Sequence, residues 1–120
     1  MSSTSPVSPA VQIECVEGIP IVVIFGRLDT NSAPLFDTHT ASLHEQPCPR
    51  VLLDFSSLTY ISSAGLRSII KLIKHAAASG GRAGVFAVAE PIMELIEISG
   101  FQPLLDIYAD RESALQGGRK

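Results

Sequence analysis

The segment from Val51 to Lys74 constrains the fold of this chain more than any other part. It opens with an unbroken apolar run, Val51-Leu52-Leu53, which predicts a buried strand. It closes with apolar residues spaced three and four apart, which predict a helix beginning near Ser63. The polar residues between these two elements are therefore expected to form a turn that leads from strand to helix.

The predicted helix has an apolar side and a basic side. The residues expected to face the sheet are Leu66, Ile70 and Ile73. The residues expected to face solvent or a partner are Arg67, Lys71 and Lys74. A solvated face is the simplest interpretation of such a stripe, and a binding surface is the alternative.

Chain length and composition limit the classes of protein to consider. At 120 residues the chain has room for one domain, predicted at residues 10–116, between a flexible arm (residues 1–9, rich in Ser and Pro) and a flexible tail (residues 117–120). A net charge of −3 with nine Lys and Arg argues against nucleic acid as a partner. No apolar run approaches the roughly 20 residues of a membrane helix, and the first residues lack the features of a secretory signal, so a cytoplasmic protein is expected.

The order of predicted elements indicates an α/β fold. The chain is expected to form a hairpin from Val11 to Phe25 that turns at Gly18-Ile19-Pro20, a helix from about Ala33 to Glu45, a strand Arg50–Phe55, a helix Ser63–Ala78, a strand Ala83–Ala89, a helix that begins at Glu90-Pro91 and ends before Gly100, a strand Leu104–Tyr108 and a short helix through Leu115. Strands that alternate with helices pair in parallel. The prediction is therefore one domain with a mixed, mostly parallel sheet, an N-terminal β-hairpin and about four helices.

Enzymatic chemistry has little support in the residues. Ser63 lacks the first glycine of a G-x-S-x-G nucleophile turn, and His75 lies twelve residues along the same helix, about 18 Å away. Asp29 and Asp54 form either an acid pair or two strand-end carboxylates bonded to local amides, the simpler interpretation. A metal site is not expected, because the chain has only two cysteines, Cys15 and Cys48, and its histidines are not spaced as metal ligands usually are. No cofactor is expected.

Four parts of the chain together resemble a known family. They are the hairpin, Gly26-Arg27-Leu28-Asp29, the strand end Leu53-Asp54-Phe55-Ser56, and Tyr60-Ile61-Ser62-Ser63-Ala64-Gly65-Leu66. The chain from about Ala10 to Leu115 resembles the STAS domain, specifically the bacterial anti-sigma factor antagonists. In that family the serine two residues before the motif glycine is phosphorylated by a kinase that is also the anti-sigma factor. The family commonly has Asp immediately before that serine, whereas this chain has Ser62.

The resemblance implies a non-enzymatic, phosphorylation-switched interaction domain that binds an anti-sigma factor serine kinase and releases a sigma factor. By position it makes Ser63 the phosphoacceptor, reset by a phosphatase. The implied partner-binding residues are Asp29, Thr30, Ser62, Ser63, Ala64, Gly65, Arg67 and Lys71. Two alternatives stay open: a STAS scaffold subunit of a signalling or transport complex without phosphorylation, and a small serine hydrolase or nucleotide-binding enzyme. From the residues alone, one serine caps the helix and the other satisfies the turn.

Overall fold

The computed structural model describes residues 11–117, which form five strands, four helices and one 3-10 turn. In chain order these elements are β1 (Val11–Val16), β2 (Ile19–Leu28), α1 (Ala33–His44), β3 (Arg50–Ile61), α2 (Ser63–Ala78), β4 (Arg82–Phe86), α3 (Glu90–Ser99), the 3-10 turn (Gln102–Leu104), β5 (Leu105–Tyr108) and α4 (Arg111–Gly117). The predicted arm, residues 1–9, lies outside the described residues, as do residues 118–120. Gly117, predicted as the first residue of the tail, is instead the last residue of α4.

The five strands form one sheet in the order β1-β2-β3-β4-β5. β1 pairs antiparallel with β2, and every later pair is parallel. Helices α1, α2 and α3 share one hydrophobic cluster with one sheet face, whereas α4 packs on the other face through Ala114 and Leu115. This confirms the predicted α/β fold with a mixed sheet and an N-terminal hairpin. Strand β3 lies at the centre, and its residues Val51, Leu52 and Leu53 are fully buried, as predicted.

The hairpin turn lies one residue earlier than predicted. Glu17 and Gly18 form a two-residue connection with φ angles of 53° and 81°, and Val16 pairs with Ile19. Positive φ at both positions is the geometry whose twist matches that of the flanking strands. The predicted turn at Gly18-Ile19-Pro20 was therefore wrong, because Ile19 and Pro20 already belong to β2.

Strand β3 is longer than predicted, and this extension places the candidate site. The segment Ser57–Ile61, predicted as a polar turn, is a strand that pairs with Phe25–Leu28 at the end of β2. The pairing of β2 with β3 shifts register between Val23 and Phe25. Near this shift, Asp54 Oδ1 accepts hydrogen bonds from Ser56 N (2.9 Å) and Ser56 Oγ (2.7 Å), which supply a partner for the Ser56 N–H. The connection from β3 to α2 is reduced to one residue, Ser62.

Strand β4, by contrast, is shorter than predicted. It ends at Phe86, and Ala87 has a left-handed φ of 59°. The predicted extent to Ala89 was wrong because that conformation breaks the strand. Gly100, at φ 82°, ends α3 as predicted.

The buried face of α2 is rotated from the predicted one. Its buried residues are Gly65, Ser68, Ile69, Leu72, Ile73 and Ala76. Ile73 is buried, as predicted, whereas Leu66 and Ile70 are only half-buried and line a narrow apolar groove between the sheet and α3. Three of these buried residues, Gly65, Ser68 and Ala76, are small, and a pattern of large apolar residues does not reveal them. The basic stripe Arg67, Lys71 and Lys74 is exposed, as predicted.

Candidate functional site

Ser62 and Ser63 have different environments although they are neighbours. Ser62 is the N-cap of α2: its backbone is extended (φ −93°, ψ 176°) and its Oγ accepts a hydrogen bond from Gly65 N at 3.2 Å. Its own N–H donates to the carbonyl of Leu28 at 2.9 Å. Ser63, the first residue of the helix, is exposed, and its hydroxyl bonds to no other residue within 11–117. The structure therefore gives Ser62 the cap and leaves the Ser63 hydroxyl free.

Gly65 allows α2 to begin against the end of β2. A Cβ atom at this position would overlap the carbonyl oxygen and the side chain of Leu28. The same carbonyl accepts the hydrogen bond from Ser62 N, so two residues of the helix start are held against one peptide group. A side chain at position 65 would push the first turn of α2 away from β2.

Asp29 organises the loop that follows β2. Its Oδ1 accepts hydrogen bonds from Asn31 N (3.0 Å) and Ser32 N (3.1 Å), while its own N–H donates to Ser32 Oγ at 2.9 Å. Arg27 Nε lies 3.4 Å from Asp29 Oδ2. These hydrogen bonds, first that from the Ser32 backbone, hold the pKa of Asp29 below its usual value. Asp29 is thus a strand-end carboxylate bonded to local amides, as the simpler interpretation expected.

Asp54, the other carboxylate of the possible acid pair, also has its own partners. It is buried, bonds to Ser56 on one oxygen, and lies 3.6 Å from Arg111 Nη2 on the other. Arg111 belongs to α4 and also pairs with Glu14 at 2.9 Å. Asp54 is therefore held by groups on the α4 side of the sheet, and nothing in these contacts makes it an acid–base partner of Asp29.

A cleft between α1 and α2 brings together most of the predicted partner-binding residues. This α1–α2 cleft has a volume of about 170 Å³ and is lined by Thr30, Ala33, Pro34, Asp37, Ala64, Arg67, Ser68 and Lys71. Lys71 Nζ lies 3.6 Å from Asp37 Oδ1 across it. Four of the eight predicted residues, namely Thr30, Ala64, Arg67 and Lys71, therefore share one concave surface beside Ser63.

A second cleft lies on the other side of Ser63. This Tyr60 cleft has a volume of about 310 Å³ and is lined by Tyr60, Ile61, Ser62, Ser63, Leu66 and Leu95. Tyr60 and Leu95 are 42% and 38% exposed, which is high for large apolar side chains, and the Arg27 guanidinium lies 4.2 Å from the Tyr60 ring centroid. Sequence reasoning missed these residues. The aromatic Tyr60 in an otherwise polar stretch was a possible signal, but the position of Leu95 depends on how α3 packs.

The histidines make contacts of their own. His75 Nε2 lies 2.9 Å from the carbonyl oxygen of Gln46, His39 Nδ1 lies 3.2 Å from that of Leu35, and the rings of His44 and His75 are 4.9 Å apart. None of the three is bonded to Ser63 in the described part of the chain, so the geometry offers this serine no general base. The same residues contain no group of three or more His, Cys, Asp or Glu side chains placed to hold a metal ion. Nor does any helix among them have the length and apolar character to cross a membrane.

Fold and site together define a small α/β domain that presents an unbonded serine at a helix start between two surface clefts. The family model described as STAS domain matches residues 10–114. The chain belongs to the STAS domain family.

Relatives of this chain carry related names. The anti-sigma F factor antagonist of Paenibacillus polymyxa is 26% identical over 106 residues, which cover 88% of this chain and 91% of that protein. The anti-sigma-B factor antagonist of Bacillus subtilis (strain 168) is 29% identical over 96 residues, covering 79% of this chain and 86% of that one. The structure of the Bacillus cell fate determinant SpoIIAA in its phosphorylated form matches with a TM-score of 0.74 at 20% identity, covering 92% of this chain and 100% of that chain, a likeness of fold.

Proposed function

We propose that this protein is an anti-sigma factor antagonist, a non-enzymatic regulator that binds an anti-sigma factor and thereby releases a sigma factor for transcription. Membership of the STAS family and relatives of that name along most of both chains support the proposal. A protein with this role acts in the cytoplasm, where sigma factors work. The proposed contact surface consists of Ser63, the α1–α2 cleft and the Asp29 loop.

Ser63 is the proposed phosphoacceptor, and its free, exposed hydroxyl is the observation that carries this assignment. The anti-sigma factor, acting as a kinase, transfers the γ-phosphoryl group of ATP to Ser63 Oγ; the hydroxyl proton is lost and ADP leaves. A phosphatase reverses the modification by hydrolysis. Ser62 is the poorer acceptor because its Oγ already caps α2 at 3.2 Å from Gly65 N.

The phosphate acts on binding rather than on folding. It adds nearly two negative charges and three acceptor oxygens. The start of a helix tolerates negative charge because its free N–H groups and dipole favour anions, so the domain stays folded. A partner surface that closes over Ser63 loses affinity, because burying a dianion against a surface that supplies no cation costs on the order of several kcal/mol in desolvation.

The experiment is capture of the partner with the full chain, followed by phosphorylation of the captured complex with ATP and localisation of the phosphate by mass spectrometry. We expect an ATP-binding protein to be captured by wild type and by Ser63→Ala, and phosphate to appear on Ser63 of wild type alone. Ser63→Glu should weaken capture while its thermal midpoint stays within about 2 °C of wild type, because only part of a phosphate's charge is added at an exposed position.

Ser62→Thr is the matched control, since threonine retains the capping hydroxyl and leaves Ser63 unchanged. It should be captured and phosphorylated like wild type. Phosphate on residue 62 would show that the assignment to Ser63 is wrong. Capture of a partner with no phosphorylation of either serine would favour the scaffold-subunit alternative.

A further inference from the structure

We propose that Arg67 couples phosphorylation of Ser63 to partner binding. In the unmodified protein the Arg67 guanidinium is free to bind an acidic group of the partner. In the phosphorylated protein the phosphate on Ser63 binds this guanidinium within the same helix. The inference rests on the proposed function and adds the residue through which the phosphate acts. It also gives the partner surface a chemical character, namely a carboxylate-bearing surface opposite the first two turns of α2.

Arg67 differs from the other basic side chains of the domain. The sequence has nine Lys and Arg, of which Arg119 and Lys120 lie outside the described residues, leaving seven. Six of these contact a carboxylate, a carbonyl or an aromatic ring: Arg27, Arg50, Lys71, Lys74, Arg82 and Arg111. Arg67 is exposed and, among residues 11–117, makes no ion pair, hydrogen bond or ring contact. An exposed, unpartnered guanidinium is available to an anion.

Helix geometry places Arg67 next to Ser63. The two residues are four positions apart in α2, so their Cβ atoms are about 5–6 Å from each other on the same face. Helix side chains lean toward the N-terminus, which directs Arg67 back over the turn that Ser63 begins. A negative group four residues before a positive one is the favourable order for such a pair. Guanidinium and phosphate can also form two parallel hydrogen bonds, which a lysine cannot reproduce.

The other nearby cations are less suited to this role. Lys71 already pairs with Asp37, with 3.6 Å between Nζ and Oδ1. It also lies eight positions after Ser63, which is about 12 Å along the helix axis. Arg27 pairs with Asp29 at 3.4 Å and lies over the Tyr60 ring. Both would have to leave an existing contact to bind the phosphate, whereas Arg67 would not.

Arg67 also lies where a partner would contact it. It lines the α1–α2 cleft together with Thr30, Ala64 and Lys71, on the surface proposed for partner binding. The lining of this cleft contains two cations, Arg67 and Lys71, and one carboxylate, Asp37, which pairs with Lys71; no acidic residue occurs in the first turn of α2. Charge complementarity therefore favours a partner with carboxylates at this point. Phosphate on Ser63 then has two effects: it repels those carboxylates and it occupies the guanidinium that attracted them.

The first test needs neither kinase nor partner. Phosphoserine is installed genetically at position 63 of the full chain, and the second pKa of its phosphate is measured by ³¹P NMR titration. The Arg67 cation favours the dianion, so Arg67→Ala should raise this pKa by about 0.4, and Arg67→Lys should raise it by less. Lys74→Ala, which removes an exposed cation eleven residues from Ser63, should leave it unchanged. Equal titration curves for wild type, Arg67→Ala and Lys74→Ala would overturn the proposal.

The second test uses the unphosphorylated chain and the partner captured as described above. Arg67→Ala should weaken binding about fivefold to tenfold at low salt, and the loss should shrink as salt screens the charges, because removal of an interfacial charge lowers the salt dependence of binding. Lys74→Ala serves again as the control. Equal affinity and equal salt dependence for Arg67→Ala and wild type would overturn the role of Arg67 in partner binding. Failure to capture any partner would instead contradict the proposed function, and the phosphate titration would still decide the pairing within the helix.

Discussion

The start and the end of α2 are anchored in the same way but differ in how their polar groups are used. At each end a glycine packs against a backbone carbonyl of a neighbouring segment: Gly65 against Leu28 at the start, and Gly81, just past the end, against Pro49. A Cβ atom at either glycine would overlap that carbonyl oxygen. Both ends of the helix are therefore fixed in position by backbone contacts.

The polar side chains at the end of α2 are engaged in contacts within the domain. Ser79 Oγ donates to the carbonyl of His75 (2.8 Å) and accepts from Cys48 N (2.9 Å), and the His75 ring lies 2.9 Å from the carbonyl of Gln46. At the start, Ser62 alone is engaged, whereas Ser63 and Arg67 make no such contacts within residues 11–117. Unused polar groups on a fixed backbone are what a binding surface needs, because the backbone that carries them loses little conformational freedom when a partner arrives.

The largest expected effect tests the shared anchoring. Gly65→Ala and Gly81→Ala should each lower the free energy of unfolding by about 2–3 kcal/mol, because the added methyl group displaces a packed backbone. Urea titration followed by circular dichroism measures this loss. Gly80→Ala is the control: its φ of 91° strains an alanine, but nothing lies within 4 Å of the new methyl group. A loss at Gly65 no greater than that at Gly80 would show that contact with Leu28 does not fix the helix start.

A smaller effect should separate the two serines. Ser62→Ala removes the N-cap hydrogen bond to Gly65 and should cost about 1 kcal/mol of stability. Ser63→Ala removes an exposed, unbonded hydroxyl and should change stability by less than about 0.5 kcal/mol. Both are measured by the same urea titration. Equal losses would contradict the assignment of one serine to the fold and of the other to binding.

Residue patterns predicted those parts of the molecule that depend on local chemistry. A capping serine at the start of a helix and a basic stripe on its exposed face follow from short-range rules, and the structure shows both, although the rules did not decide which serine is the cap. The link between Ser63 and phosphorylation came from the family resemblance, since composition and spacing alone left the serines as a cap and a turn contact.

Features that depend on tertiary contacts were not predictable in the same way. The polar stretch Ser57–Tyr60 reads as a turn, but β2 extends beside it and supplies the hydrogen-bonding partners of a strand. The Tyr60 cleft forms because α3 brings Leu95 beside Leu66, a contact between residues far apart in sequence. The buried face of α2 was misjudged because three of its buried residues, Gly65, Ser68 and Ala76, are too small to contribute to an apolar pattern.

The smallest expected effect concerns pH in the range where histidine titrates and should arise at the end of α2. His44, the last residue of α1, lies against His75 with ring centroids 4.9 Å apart. Burial, followed by the nearby charges of His75 and Lys71, lowers the pKa of His44 below 6.5, while Asp37 opposes this shift. The unfolded chain therefore binds a proton at position 44 more readily than the folded one. The free energy of unfolding therefore has its full value with respect to His44 above pH 6.5. It declines as the pH falls through that value and levels off below the folded-state pKa of His44.

The measurement is the difference in unfolding free energy between wild type and His44→Gln, followed from about pH 7.5 to about pH 5.5, the range in which histidine titrates. Groups that do not interact with His44 contribute to both proteins and cancel in this difference, so wild type should lose its advantage over the variant as the pH falls. His39→Gln, in the same helix with its ring nitrogen 3.2 Å from the carbonyl of Leu35, controls for loss of a half-buried imidazole. A pH-independent difference for His44→Gln would show that protonation at position 44 does not oppose the packing of α1 on α2. In that case the contrast between the two ends of α2 would rest on hydrogen bonds alone.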